Sequence, residues 1–196
     1  VNNIELTKRQ VMAIVNVTDD SFYADSRTIS QAAIAERVRR AIAEGASILD
    51  VGGYSSRPGA KDISVEQEWQ RVEMGLRCIR RVAPSAVVSV DTFRSEVAER
   101  ALKGYGPLII NDISAGEIDN RIIDVVARHD VPYIAMHMRG TPQTMQQCVE
   151  YKSDITSEVC DYFRLRVELL QQRGVRQIIL DPGFGFAKDL KQNYEL

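Results

Sequence analysis

The residues best suited to chemistry stand where apolar runs end. Asn16, Asp50, Asp91, Asn111 with Asp112, His137 and Asp181 each close such a run. Carboxylates and asparagine oxygens accept hydrogen bonds from a ligand rich in N–H donors, and the asparagine amides also donate. The edge of an aminopyrimidinone suits that array, whereas a sugar phosphate would want more cations at the floor. After Asp50 the chain reads VGGYSSRPGA, with Gly52, Gly53, Ser55, Ser56 and Arg57 close together. Bare backbone N–H groups, hydroxyls and one guanidinium favour an anion, and arginine offers a bidentate fork to phosphate oxygens. Together the two sets describe a pocket for a heterocycle carrying a phosphate arm. The stretch LDPGFGFAKD places Phe184 and Phe186 after Asp181, a flexible apolar lip for a flat ring, and HMRGTPQTM sets Met138 and Arg139 at the base of another loop.

Other chemistries fit less well. Two histidines in the chain, with no Cys or His at ligand spacing, argue against zinc. Magnesium held by Asn16 and a substrate phosphate remains compatible, since Mg²⁺ keeps most of its waters and shares ligands with phosphates. No G-x-S-x-G elbow is present.

The elements that must hold these residues alternate. Apolar runs at 11–17, 47–51, 86–91, 107–112, 132–137 and 177–181 read as strands. Between them lie helical patterns. Ile34, Val38, Ala41 and Ile42 mark one face before Gly45, and Val65, Trp69, Val72, Leu76 and Ile79 mark the next, opened by the capping box of Ser64 and Gln67. Residues 94–104 and 117–130 give two more helices. A long one follows at 153–174, with Ile155, Val159, Phe163, Val167 and Leu170 on its apolar face. Strands without period-two alternation are buried on both faces, as in parallel sheets. Two architectures satisfy this α/β pattern, a doubly wound open sheet and a (β/α)8 barrel. The first strand runs into NVTDDSFY without a glycine, so the dinucleotide fingerprint is missing. In either case parallel strands bring their polar C-terminal ends to one face.

Composition sets the outer bounds. The 196 residues are 44% hydrophobic and 27% charged with a net charge of −2, values of an ordinary globular domain without bulk attraction to nucleic acid or anionic membrane. No apolar run reaches a membrane span. Cys78, Cys148 and Cys160 form neither a CxxC pair nor a disulfide framework, which fits reduced, space-filling thiols and a cytoplasmic setting.

Taken in order, NVTDDSFY, LDVGGYSSRPGA, VSVDTFRSEVAERAL, IINDISAG, MHMRGTPQTM and LDPGFGFAKD resemble the dihydropteroate synthase family from about residue 11 to the end of the chain. The resemblance implies a TIM barrel of folate biosynthesis. Such an enzyme joins p-aminobenzoate to a dihydropterin-methyl diphosphate, with Mg²⁺, and releases pyrophosphate by an SN1-like substitution. It implies that Asp91, Asn111 and Asp181 hold the pterin and that Asn16 meets the metal and diphosphate. Ser56 and Arg57 would serve the diphosphate and p-aminobenzoate side, and Met138 and Phe186 would line the ring pockets. Asp91 and Arg57 would carry the catalysis, and loops 17–29 and 52–63 would close over the substrates.

The family pattern has eight βα units, and six of them lie in this chain, read as one domain over 1–196 that is shortened within the sixth helix. The family's homodimer interface is then largely missing. Asp19 stands where the family has proline, and Ala187 where glycine is common. A pterin-dependent methyltransferase domain and a non-catalytic pterin-binding fragment are the alternatives. The SSRPGA loop separates the first of them, because methyl transfer has no diphosphate to hold.

Overall fold

The computed structural model describes residues 9–18, 27–57 and 59–196. Six βα units follow one another. β1 is Met12–Asn16, α1 Arg27–Ala43, β2 Ile48–Gly52, α2 Val65–Val82, β3 Val87–Asp91 and α3 Ser95–Tyr105. They are followed by β4 Ile109–Asp112, α4 Arg121–His129, β5 Tyr133–Met136, α5 Ile155–Gln172, β6 Ile178–Asp181 and α6 Leu190–Glu195. All strand pairs are parallel and the spatial order is β1-β2-β3-β4-β5-β6. A doubly wound sheet reverses its strand order at a switch point. This sheet never does, so the open-sheet alternative falls away and the run is that of a (β/α)8 barrel wall.

Helix boundaries follow local chemistry. Ser64 Oγ accepts from Gln67 N at 3.2 Å while Gln67 Oε1 accepts from Ser64 N at 2.9 Å, the reciprocal box expected for α2. Asp154 accepts from Ser157 N to open α5, and a second box of Asp189 and Gln192 opens α6. On α1, Ile34, Val38 and Ala41 are buried but Ile42 is 41% exposed.

The main core lies between sheet and helices. Val15, Leu49, Val51, Val88, Val90, Ile110, Tyr133 and Ala135 face it from the strands. The opposite face of the sheet carries a smaller cluster of Ile48, Ile109 and Ile134 with Ile179 packed on it. Burial on both faces holds throughout β2 and β5. It fails at the edges, where Ile14 is 57% and Leu180 44% exposed, because an edge strand has a neighbour on one side only. Cys78 is buried as a space-filling thiol should be, whereas Cys160 is exposed on α5. Asp19 and most of the 17–29 loop lie outside the described residues.

Candidate active site

Register decides which strand-end residues meet. Asn16 pairs with Gly52, Gly52 with Asp91, and Asp91 with Asn111. Laterally paired residues of parallel strands point the same way. These residues therefore share the inner face with Ile134 and Ile179, and Asp50 and Asp181 join them two residues from Gly52 and Ile179. A Cβ built on Gly52 would stand 3.1 Å from Asp91 Oδ2 and 3.2 Å from Asn16 Oδ1. The two side chains thus come together over a glycine that leaves them room. Asn111 Nδ2 donates to Asp50 Oδ2 at 3.1 Å, across the intervening strand β3.

The electrostatics match the geometry. Burial pushes the Asp91 carboxyl well above the ordinary carboxylate range, and the negative charges of Asp50, Glu68 and Asp112 push it further. Burial also raises Asp50, with the hydrogen bond from Asn111 among the influences pulling the other way. A cluster of carboxylates that resists holding all its charges at once favours a ligand that brings N–H donors or positive charge.

Two expected members of the pocket point elsewhere. Asp112 follows Asn111 and His137 follows Met136, and side chains alternate faces along a strand. Asp112 is fully buried on the helix side, where it accepts from Ser114 N at 2.7 Å, Ser114 Oγ at 2.8 Å, Gly116 N at 2.8 Å and Tyr133 Oη at 2.7 Å. The His137 ring stacks edge-on to Tyr162, centroids 4.8 Å apart, and its Nδ1 lies 3.0 Å from Lys188 Nζ. Both are structural ties and not pocket walls.

Above the polar floor sits an apolar rim. Tyr54, Phe93, Ile113, Met136, Met138, Met145 and Ala187 are buried together, with Phe186 packed on them. Met138 and Phe186 are thus brought to the mouth, while Phe184 is 56% exposed. The 182–188 loop is fastened, in contrast to the flexible lip expected of it. Lys188 Nζ donates to Gly183 O at 3.0 Å and Phe186 O at 2.9 Å, and Tyr151 Oη donates to Ala187 O at 2.8 Å. Ala187 holds φ +51°, a left-handed conformation that explains why glycine is at home there.

Ser56 and Arg57 stand on the loop after β2, Ser56 half-buried and Arg57 exposed. At Gly53, expected to offer its N–H to an anion, packing also leaves no room for a side chain: a Cβ there would lie 2.8 Å from the Glu68 carbonyl. Glu68 itself, fully buried, is a residue that sequence reasoning missed, as is its neighbour Arg94. Their partners are distant in the chain, so no local motif announces them.

With the site in hand, its relatives can be named. A match to the pterin binding enzyme family spans residues 12–196. The folic acid synthesis protein fol1 of Schizosaccharomyces pombe is 45% identical over 184 residues, covering 93% of this chain and 25% of that protein. The dihydropteroate synthase of Synechocystis is 40% identical over 188 residues, 95% of this chain and 64% of that one. A Clostridium difficile dihydropteroate synthase, solved in the presence of pteroic acid, superposes with a TM-score of 0.86 at 31% identity over 96% of this chain and 69% of that one. The chain therefore spans between a quarter and about two thirds of these relatives' lengths. A match over nearly the whole chain, together with the barrel wall and its acidic floor, makes it a member of the pterin binding enzyme family.

Proposed function

We propose that this chain forms the pterin-binding part of a dihydropteroate synthase, which joins p-aminobenzoate to a dihydropterin-methyl diphosphate and releases pyrophosphate. The observation that carries the reading is the meeting of Asn16 and Asp91 over Gly52, beside the Asp50–Asn111 tie. Asp91, Asn111 and Asp181 accept and donate along the edge of the pterin, and Met138 and Phe186 cover its faces. The names of the relatives, and the pteroic acid present with one of them, support the same assignment.

The chemistry follows from charge. Departure of the diphosphate leaves positive charge on the exocyclic methylene, delocalised into the dihydropterin. A carboxylate fixed beside the ring stabilises that charge more than the neutral ground state, which lowers the barrier. Asp91 fills this role. Burial and the neighbouring carboxylates make its carboxyl take a proton more readily than usual. Ring N–H donors favour its charged form, so ligand binding prepares the carboxylate for the step that needs it. Ser56 and Arg57 receive the leaving anion. The arylamine nitrogen then forms the new C–N bond from a position set by the loops, and the acidic arylammonium proton passes to the released pyrophosphate or to water, so no strong protein base is required.

For magnesium, Asn16 offers one amide oxygen. Among the described residues no three His, Cys, Asp or Glu side chains gather around a common point. That donor set fits an ion sharing its ligands with the diphosphate and water, and unsuited to a closed protein cage. When bound it would neutralise charge on the diphosphate. Among the described residues no helix is long and apolar enough to cross a membrane.

The test is to incubate the chain with p-aminobenzoate, dihydropterin-methyl diphosphate and Mg²⁺, and to measure dihydropteroate and pterin binding. Product that falls at least ~100-fold in Asp91→Asn supports the assignment. A chain that binds no pterin overturns it.

A further inference from the structure

The loop between β2 and α2, which carries Ser56 and Arg57, leaves the sheet at Gly53 and returns at Ile63. One side chain touches both of its ends. The Arg94 guanidinium lies 5.2 Å from the Tyr54 ring centroid, and its Nη2 is 3.0 Å from Asp62 Oδ1. Its Nη1 is 3.1 Å from Oε2 of Glu68, and Phe93 flanks it at 5.4 Å. We propose that Arg94 is a positioning residue that clamps this loop against the mouth of the barrel, with Glu68 as its buried counter-ion.

The counter-ion is what makes this more than a surface ion pair. Asp62 has a side chain 74% exposed, and an exposed pair alone contributes little to holding a loop. Glu68 is different, since no part of it reaches solvent. Burying a carboxylate is costly unless it is paired and hydrogen-bonded. Glu68 Oε1 accepts from Thr92 Oγ1 at 2.5 Å, and Oε2, which accepts no hydrogen bond, is ion-paired with Arg94 Nη1 and so depends on that guanidinium for its compensation. The Thr92 hydroxyl also accepts from Arg94 N at 3.1 Å. The guanidinium is thereby fixed in orientation before it meets the loop. Only a planar fork can face two carboxylates on different sides while lying against an aromatic ring; a lysine ammonium is a point charge and cannot.

Two further ties act in the same sense. Gln143 Nε2 donates to Tyr54 Oη at 2.7 Å, and Arg71 Nη1 donates to Gly53 O at 3.2 Å. Both secure the departing end of the loop. Arg94 spans from that end to the returning one, with its ring contact on Tyr54 and its ion pair to Asp62. A clamped loop presents Ser56 and Arg57 with less ordering left for the ligand to impose. The role of the loop as an anion holder rests on the function proposed above; the clamp itself does not.

Three variants test the clamp: Arg94→Lys, Asp62→Asn, and the double variant Glu68→Gln/Arg94→Gln. The last leaves no unpaired buried charge and keeps an acceptor for Thr92. Hydrogen exchange of the amides in 54–62 reads the loop. Binding of inorganic pyrophosphate and of a pterin lacking phosphate reads the site. The expected result is exchange at least tenfold faster in Arg94→Lys and in the double variant, and within about twofold of the unmodified chain in Asp62→Asn, whose exposed pair holds little by itself. Where exchange is faster, pyrophosphate affinity falls about tenfold, while affinity for the phosphate-free pterin stays within twofold. A protein weakened throughout would lose both affinities together. Unchanged exchange across 54–62 in Arg94→Lys and in the double variant overturns the clamp. Faster exchange in a chain whose unmodified form binds no pyrophosphate leaves the clamp standing and overturns the anion-holding role of the loop.

Discussion

Asn111 on β4 donates its side-chain amide to Asp50 on β2, reaching over β3 at 3.1 Å. The bond has a directional consequence. The bond spends one of the two Nδ2 hydrogens on Asp50 and fixes the plane of the amide, which leaves its oxygen and the second hydrogen for a ligand. Asp50 is 5% exposed and acts on a ligand through Asn111. Asp50→Ala is expected to free the Asn111 amide and to weaken pterin binding about tenfold. It should also cost roughly 1–3 kcal/mol of stability, the scale of an orphaned buried group. Pterin titration and urea unfolding of the same variant measure the two effects.

Gly52 makes a second prediction. Its φ lies outside the positive range, so alanine suits its backbone. The conflict is with the side chains above it, 3.1 Å to Asp91 Oδ2 and 3.2 Å to Asn16 Oδ1. Those atoms must move a few tenths of an ångström to admit a methyl group. Gly52→Ala is expected to fold with an unfolding midpoint within a few degrees of the unmodified chain, while pterin affinity falls about tenfold, since a small misplacement at a preorganised site is costly. Melting curves and ligand titration separate these outcomes. A large drop in melting temperature would contradict them.

Much of this was legible in the sequence because the signals are local. The capping box of Ser64 and Gln67, the apolar runs and the polar residue closing each of them lie within a few positions of one another. The face that each polar residue takes was not legible. A strand buried on both sides shows no alternation, so nothing in IIND says that Asn111 turns inward and Asp112 outward. Register settles it. The same holds for MH at 136–137, where the histidine joins the aromatic layer under α5. Glu68 and Thr92 were invisible as a pair because 24 residues separate them. A glutamate in the first turns of a helix reads as an ordinary solvated charge until the sheet is packed against it.

The Asp112 knot predicts a loss of stability without a change in chemistry. Tyr133 is fully buried, and its hydroxyl is one of four donors to a carboxylate that no solvent reaches. Burial and the neighbouring Asp112 charge together raise the tyrosine far above its usual range, so it remains a donor throughout the working pH range. Tyr133→Phe preserves the ring and removes one donor. The expected cost is about 1–3 kcal/mol in urea unfolding. Pterin affinity should remain unchanged, because Asp112 points away from the pocket.

His137 and Lys188 make stability rise with pH in two separate windows, one acidic and one alkaline. Burial, followed by the Lys188 and Arg139 charges, lowers His137 from 6.5 to about 4. Between those values the unfolded chain binds a proton that the folded chain refuses, so stability is lost as pH falls from about 6.5 toward 4. Burial lowers Lys188 from 10.5 to about 8, with Asp181 opposing the shift. Here too the folded state releases its proton first, but the window lies between pH 8 and 10.5, where stability gains as pH rises. The neutral amine still carries two hydrogens for Gly183 O and Phe186 O and can accept from His137 Nδ1, so the loop stays fastened after the proton leaves. Urea midpoints across pH 4–10.5 for the unmodified chain, His137→Gln and Lys188→Met test both arms. His137→Gln should flatten the acid limb of the difference curve. Lys188→Met should remove the alkaline rise and lower stability by at least about 2 kcal/mol, since buried carbonyls lose their donor. An alkaline rise that persists in Lys188→Met would place its origin in another group.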